Sequence, residues 1–248
     1  MKIGVVKHLN ARPLTLGLEK TNEHSILYEN PSVLKEELLN NNLDLALISS
    51  VECIRNEARL DYSMSTGVCA EKRVRSILFF ENKNEVNPDS IFVDEGSRSS
   101  VALLKILYHE KYKILINTIP LNPTEIQSKI LEKKGSHLLF GDNALLANWD
   151  KEAYQVYDLA EWWNTTTGLN FIFALWAYPK NFKIDDVIFY SSLEFGLQKI
   201  DEIISNENRF SKEMIANYLL NELHYVVTEK DRLGFELFKD KCLELKLL

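Results

Sequence analysis

Several residue types and runs are scarce in this chain, and each scarcity excludes a class of protein. There are three cysteines in 248 residues, Cys53, Cys69 and Cys242, widely spaced and with no CxxC among them. That excludes a disulfide scaffold, a zinc ribbon and a dithiol redox site, and it reads as three small buried hydrophobes in a reducing compartment. Nine Gly and six Pro are too few for a collagenous or low-complexity chain. The longest apolar run, residues 171–178, is far short of the ~20 residues of a membrane span. The opening MKIGVVKHLN loses its apolar run at Lys7, whereas a secretory signal needs about 7–15 such residues, so the expectation is a cytoplasmic protein. Positive charge is also in deficit, Lys+Arg 29 against Asp+Glu 36 for a net charge of -7. This argues against a nucleic-acid partner, whose binding rests on phosphate neutralisation. It does not argue against a small anion, because a few local donors outweigh a diffuse surface field. No GxGxxG, Walker A, HExxH or GxSxG occurs. The five histidines (His8, His24, His109, His137, His224) lack metal-ligand spacing, so a metal enzyme is not expected.

What is present is an ordinary apolar content of 46% in a chain long enough to bury roughly 70–75% of its unfolded surface. That suffices for one large domain or two modest ones. Strand and helix patterns alternate from the start: strand 3–6, helix 12–19 entered through Pro13, strand 24–28, helix 32–40 and the apolar strand 43–48 (LDLALI). Proline suits a helix start because its missing N–H would be unpaired there anyway. The same theme returns as strand 90–94, helix 99–112, strand 114–119 stopped by Pro120, helix 124–133 closed by Gly135, and strand 137–140. Beyond 178 the pattern is mainly helical, over 185–205, 211–220 and 231–245. Two βαβαβ units predict an α/β fold. A single doubly wound sheet and a two-lobed arrangement both fit, and the two-lobed one is favoured. Segments 76–80 and 171–178 would then cross between lobes, with 81–88 as a polar link. The lobes would be 1–80 plus 178–248, and 81–177, with a ligand in the cleft between them.

Open α/β sheets bind ligands at the carboxyl ends of their strands, and five polar loops fall there. HLNARPL carries Asn10, which both donates and accepts, and Arg12, a carboxylate fork. Turn formation by Asn10 and a surface ion pair for Arg12 serve equally as readings. After LDLALI come Ser49 and Ser50, helix caps or ligand donors. DEGSRSS places Ser97, Ser99 and Ser100 at a helix start behind Gly96, with Arg98 adding charge or merely solvated. Hydroxyls and free N–H groups there form the best anion site by physics alone. Gly141-Asp142-Asn143 and Thr165-Thr166-Thr167-Gly168 read mostly as turns. Trp162, Trp163, Phe171, Phe173, Trp176 and Tyr178 read mainly as core.

Taken in order, HLNARPL, LDLALISSVE, VRSILFF, DEGSRSSVALLKIL, LLFGDNAL and YDLAEWWNTTTGLNFIFALWA resemble the chorismate dehydratases of the futalosine route to menaquinone. The resemblance implies a two-lobed type 2 periplasmic-binding-protein-like fold and a cofactor-free conversion of chorismate to 3-[(1-carboxyvinyl)oxy]benzoate plus water. It places the family's catalytic Asn on Asn10 and its crossing-strand Ser on Ser76. Its helix-start pair falls on Ser99 and Ser100, its Gly-Asp turn on Gly141 and Asp142, and its Thr-Gly on Thr167 and Gly168. The chain departs from the family in having His8 for Tyr, Ser99 for Thr and Asn170 for Pro. The related 1,4-dihydroxy-6-naphthoate synthases are similar in fold but carry a histidine in the loop after the strand that here ends LLFGD. Here Asp142 stands in that loop, which favours the dehydratase. That synthase and a non-catalytic small-anion binder remain as alternatives. The same fold serves exported binding proteins and regulator effector domains, but a leader and a DNA-binding segment are not expected here. The implied partner is a small dicarboxylate, with oligomeric state left open, a homodimer included.

For the reaction itself, two proton acceptors are open. One is a protein acid, Asp142 or Glu52. The other is a carboxylate of the substrate, held in place by a pocket made of donors. The second is favoured, because Asn10, Ser76, Ser99, Ser100 and Thr167 are all neutral.

Overall fold

The computed structural model describes residues 1–21, 23–85 and 88–248. Of the expected link 81–88, Val86 and Asn87 lie outside the described residues. The first unit runs β1 (Lys2–Val5), α1 (Arg12–Lys20), β2 (Ser25–Tyr28), α2 (Pro31–Leu39), β3 (Leu45–Ser49), α3 (Ser50–Arg55) and the long β4 (Leu60–Ala70). The second runs β5 (Ile77–Asn82), β6 (Ser90–Asp94), α4 (Ser99–Tyr112), β7 (Asn117–Leu121), α5 (Pro123–Leu131), β8 (His137–Phe140), α6 (Gly141–Leu145), β9 (Tyr154–Asp158) and α7 (Leu159–Thr167). The chain then returns through β10 (Phe171–Pro179) to α8 (Val187–Gln198), α9 (Ile200–Asn206), α10 (Lys212–Asn217), β11 (His224–Val226) and α11 (Glu229–Glu244).

Two sheets result, ordered β11-β4-β10-β3-β1-β2 and β7-β6-β8-β5-β9. In the first, β1 lies parallel between β2 and β3, while β10 is antiparallel to β3 and β4. In the second, β6 lies parallel between β7 and β8, and β5 is antiparallel to β8 and β9. The two segments expected to cross between lobes each stay within one sheet: 77–82 belongs to the second and 171–179 to the first. The passage is made instead by 71–76 going out and 159–170 coming back. Asp158 clasps the two passages. Its Oδ2 accepts from the N–H groups of Val74 (2.9 Å) and Arg75 (2.6 Å), and its Oδ1 caps α7 at Ala160 (3.1 Å) and Glu161 (3.2 Å). Burial pushes this carboxyl's pKa up, and the four N–H donors pull it back.

Three local expectations are corrected. Pro120 does not stop its strand but sits inside β7, opposite Val93. That strand is at the sheet's edge, where a missing N–H leaves no ladder bond unmade. The helix expected over 185–205 breaks at Lys199, and the one over 211–220 gives way to a π-helical turn at Tyr218–Glu222. Strands β4, β9 and β11 were not legible. In β4 the polar Ser63, Ser65 and Thr66 are buried, which blurs the apolar pattern. Helix α8 packs on α1 at backbone distance: a Cβ on Gly196 would fall 2.0 Å from the Pro13 carbonyl. Ser192 Oγ locks the pair, donating to the Leu14 carbonyl (2.7 Å) and accepting from the Leu18 N–H (3.1 Å). Among the described residues no helix is long and apolar enough to cross a membrane.

Candidate active site

The carboxyl ends of β1 and β3 from the first sheet meet those of β6 and β8 from the second around one cavity. It encloses about 600 Å³ of atom-free space, part of it open to solvent. His8 and Asn10 come from the loop after β1, Ser49 from the end of β3, residues 96–100 from the loop after β6, and Phe140 and Gly141 from the end of β8. This is where parallel α/β sheets present backbone and loop donors to a ligand.

The hydroxyls lining it divide into two kinds. Ser99 Oγ is spoken for: it lies 2.9 Å from Ser50 Oγ, accepts from the Val51 N–H (3.1 Å) and reaches the Phe173 carbonyl (3.4 Å). It therefore ties α4 to α3 across the cleft, with Ser50 behind it. Ser49 Oγ and Ser97 Oγ are buried and have no partner. A buried hydroxyl without a partner costs about 1–3 kcal/mol, so two of them facing one cavity point to a ligand that would satisfy them. Ser97 and Ser100 flank the start of α4, which has no side-chain cap and no acid in its first turn. Its open N–H groups and dipole favour an anion there. Arg98 is exposed and borders both this cavity and an adjoining vestibule of about 1150 Å³.

Deeper in, Ser76 is buried just before Ile77, which lines the cavity, and its carbonyl accepts from the Gly141 N–H (2.7 Å). The fully buried Tyr218 places its hydroxyl beside the Ser76 and Asn10 side chains without a well-aligned bond to either. Burial raises its pKa far above the usual phenol range, offset in part by those two neighbours. At the mouth, His8 meets the Phe140 ring edge-on, with centroids 5.2 Å apart. Burial lowers the His8 pKa, against the pull of Asp142 and with the push of Arg209. Burial thus favours the uncharged form of this imidazole.

Other expected site residues are engaged elsewhere. Asp142 Oδ1 accepts from the Leu9 N–H (3.3 Å), and its Oδ2 takes Arg209 (2.8 Å). It is a strap between the β8 and β1 loops rather than a wall of the cavity. Glu52 is bound to Arg55 (2.7 Å) and Asn56 (3.3 Å). The structure sets Arg12, Thr167 and Gly168 apart from the cavity. Arg12 pairs with Glu19 at 2.6 Å. Thr167 Oγ1 donates to the Trp163 carbonyl (2.8 Å), and Gly168 ends α7 at φ +74°, a left-handed cap. Trp163, Phe171 and Trp176 are core, while Phe173 borders the cavity.

Sequence reasoning missed Tyr218, which reads as one more core aromatic in the helical tail. It also missed Asp94, which is 2% exposed and borders the vestibule. Burial pushes the Asp94 carboxyl up to about 6, against the bonds it accepts from the Gly96 N–H (3.0 Å) and Asn143 (3.4 Å). The only local signal was its place at the end of a strand before a glycine.

Comparison with known proteins fits this geometry. Campylobacter jejuni chorismate dehydratase is 28% identical over 181 residues, 70% of this chain and just under two thirds (66%) of that protein. The Thermus thermophilus chorismate dehydratase is 25% identical over 264 aligned positions, 96% of this chain and 93% of that one. Among solved structures, an Archaeoglobus fulgidus protein superposes with a TM-score of 0.79 at 14% identity, covering 100% of this chain and 98% of that one. The Escherichia coli periplasmic aliphatic sulphonate binding protein SsuA gives 0.67 at 16% identity, covering 100% and 92%. These structures show a periplasmic-binding-protein-like fold. The family model described as menaquinone biosynthesis matches residues 1–244, and the chain belongs to that family.

Proposed function

We propose that the chain is a chorismate dehydratase, a carbon–oxygen lyase that makes 3-[(1-carboxyvinyl)oxy]benzoate and water in cytoplasmic menaquinone biosynthesis. The observation that carries this reading is the pair of buried, unpartnered hydroxyls, Ser49 and Ser97, facing a cavity at the uncapped start of α4. In a member of this family, a carboxylate of a dicarboxylic substrate is the ligand that suits them. Ser97, Ser100, Arg98 and the α4 N–H groups would take one carboxylate. Asn10 and Ser76, with Gly141 beside them, would orient the carbon that loses its hydroxyl. Ser99 and Ser50 would hold the two sides of the cleft in register.

In the reaction, the C3–H bond and the C4–O bond of chorismate break, the ring gains its third double bond, and the proton leaves with the hydroxyl as water. Aromatisation drives it, so the protein's task is orientation. We assign the first acceptance of the C3 proton to a carboxylate of the substrate, from which it passes to the departing hydroxide to make the water. Support comes from the engagements of the two protein acids considered first, Asp142 with Leu9 and Arg209 and Glu52 with Arg55 and Asn56. Thr167 and Gly168 have only the family resemblance behind them as substrate contacts, and Arg12 only its fork-like chemistry and its place in the loop after β1.

The test is purified protein with chorismate alone, followed by ultraviolet absorbance and mass. The expected product is aromatic, one water lighter and still carries the enolpyruvyl ether. Saturable binding without turnover would replace the enzyme with a small-anion binder, and no binding would overturn the substrate. Asp142→Ala and Glu52→Ala should keep most of kcat, while Asn10→Ala and Ser76→Ala lose far more. Equal, mild losses in all four would sink the positioning mechanism.

A further inference from the structure

We propose that Cys69, His224 and Asp231 form a binding site for a divalent ion of zinc type, at the β11 edge of the first sheet and independent of the cleft reading. The three donors are far apart in sequence, and the fold brings them together. Cys69 lies near the end of β4, and His224, the first residue of β11, is its direct partner in the β4–β11 register. Asp231 sits in the first turn of α11, which follows β11. One donor atom from each lies within 4.8 Å of the other two, and His224 Nε2 is 3.0 and 2.9 Å from the two Asp231 oxygens. Cys69 and Asp231 are fully buried.

Thiolate, imidazole and carboxylate are the ligand types that zinc takes, at bond lengths of about 2.0–2.3 Å, which sets tetrahedral donors roughly 3.3–3.8 Å apart. To reach that, the His224–Asp231 pair, now at hydrogen-bond distance, parts by a few tenths of an ångström, and the Cys69 sulfur starts within 4.8 Å of both. Asp231 is also held in place, as the N3 residue of the α11 capping box. Thr228 holds Asp231 Oδ2 with its N–H (2.7 Å) and its hydroxyl (2.5 Å), leaving Oδ1 free of everything but His224. Outer partners of this kind orient metal ligands. The fourth position is reachable, because His224 and Thr228 border a surface pocket together with Lys72 and Arg73. Water or a small anion would complete the sphere from there. On binding, the ion takes the Nε2 lone pair of His224 in place of the proton that faces Asp231; that proton passes to solvent, and the neutral ring carries its proton on Nδ1. The Cys69 thiol releases its proton to solvent, forming an S–metal bond for the S–H bond lost.

The experiment is titration of the metal-free full chain with Co²⁺, followed by displacement with Zn²⁺. One equivalent of Co²⁺ should give the intense visible bands of a tetrahedral ion and a near-ultraviolet thiolate charge-transfer band. Zn²⁺ should erase both and raise the unfolding midpoint. Cys69→Ser should abolish the charge-transfer band. If that variant fails to fold, Thr228→Ala keeps all three ligands and should weaken Zn²⁺ about 10–100-fold, with His224→Gln weaker still. A six-coordinate cobalt spectrum without the charge-transfer band overturns the site, as does Zn²⁺ affinity unchanged in His224→Gln. Turnover of chorismate is a separate readout, so neither result bears on the cleft.

Discussion

Removing the Ser97 hydroxyl should stabilise the protein and damage its activity at once. Ser97 Oγ is buried, borders the cavity and has no partner in the unliganded chain. A hydroxyl in that state costs about 1–3 kcal/mol, and alanine removes it while leaving space that the cavity already provides, so Ser97→Ala should gain about 1 kcal/mol in the absence of ligand. With substrate bound, the same atom would donate to a carboxylate. A hydrogen bond to a charged group is worth about 1.5–3 kcal/mol, so kcat/KM should fall about 10- to 150-fold. Ser99→Ala is the internal control, since Ser99 Oγ already bonds to Ser50, Val51 and Phe173. It should lose about 1 kcal/mol of unliganded stability. Denaturant midpoints without ligand and kcat/KM on chorismate measure both halves. If Ser97→Ala loses stability and keeps its kcat/KM, the hydroxyl serves the fold, and the anion site at the head of α4 is refuted.

Tyr218→Phe should leave unfolding within about 1 kcal/mol of the parent, because no aligned bond is lost, yet lower kcat more than it raises KM by removing the hydroxyl that lies beside the Asn10 and Ser76 side chains; unchanged kcat would make Tyr218 plain core. Asp158→Ala should cost about 3 kcal/mol by freeing four N–H groups at the two passages between sheets, read from the denaturant midpoint, and a loss under 1 kcal/mol would deny the clasp. Asp94 has its folded pKa raised from 3.8 to about 6, so its contribution to stability is greatest below pH ~4 and is lost as pH rises toward 6, about 3 kcal/mol in all. Asp94→Asn should recover up to that amount at pH 7 and nothing at pH 4. His137 runs the other way: burial takes it from 6.5 to about 4, so its contribution, about 3 kcal/mol, is present above pH 6.5 and lost on acidification. The two slopes oppose each other between pH 6 and 4, and Asp94→Asn should therefore steepen acid unfolding; a profile of unchanged shape would reject both assignments.

How much of this was legible in the sequence follows from how local each signal is. Strand β6, helix α4 and strand β8 fall on the residues expected, because period, turn residues and length all lie within the segment. The β1 to β3 alternation was equally readable. The membership of β5 and β10 was not, since a strand's sheet is decided by partners elsewhere in the chain: β10 pairs with β3 and β4, β5 with β8 and β9. Strand β11 is three residues long and exists only because β4 offers it an edge. The site divides in the same way. Loops at strand ends could be marked as ligand-facing from topology alone, and residues from four of the five marked loops do border or brace the cleft. The fifth, ending in Thr167 and Gly168, carries the same hydroxyl-and-glycine composition but is used to close a helix.

Composition also says nothing about which hydroxyls are still available. Ser97 and Ser99 stand two residues apart in DEGSRSS with the same chemistry and the same apparent claim on an anion. Packing of α4 against α3 and β10 gives Ser99 three partners and Ser97 none. The availability of a donor is therefore a property of the contact between the two sheets' helices. Any motion that parts α3 from α4 would release Ser99 to the cavity and exchange the roles of the two serines. A Ser50→Ala variant separates these cases. If Ser99 is held by its neighbours, losing one of them should partly free it, and Ser97→Ala in that background should cost less in kcat/KM than the 10- to 150-fold expected alone. Strict additivity of the two substitutions would show that Ser99 cannot substitute and that the division of labour is built into the backbone.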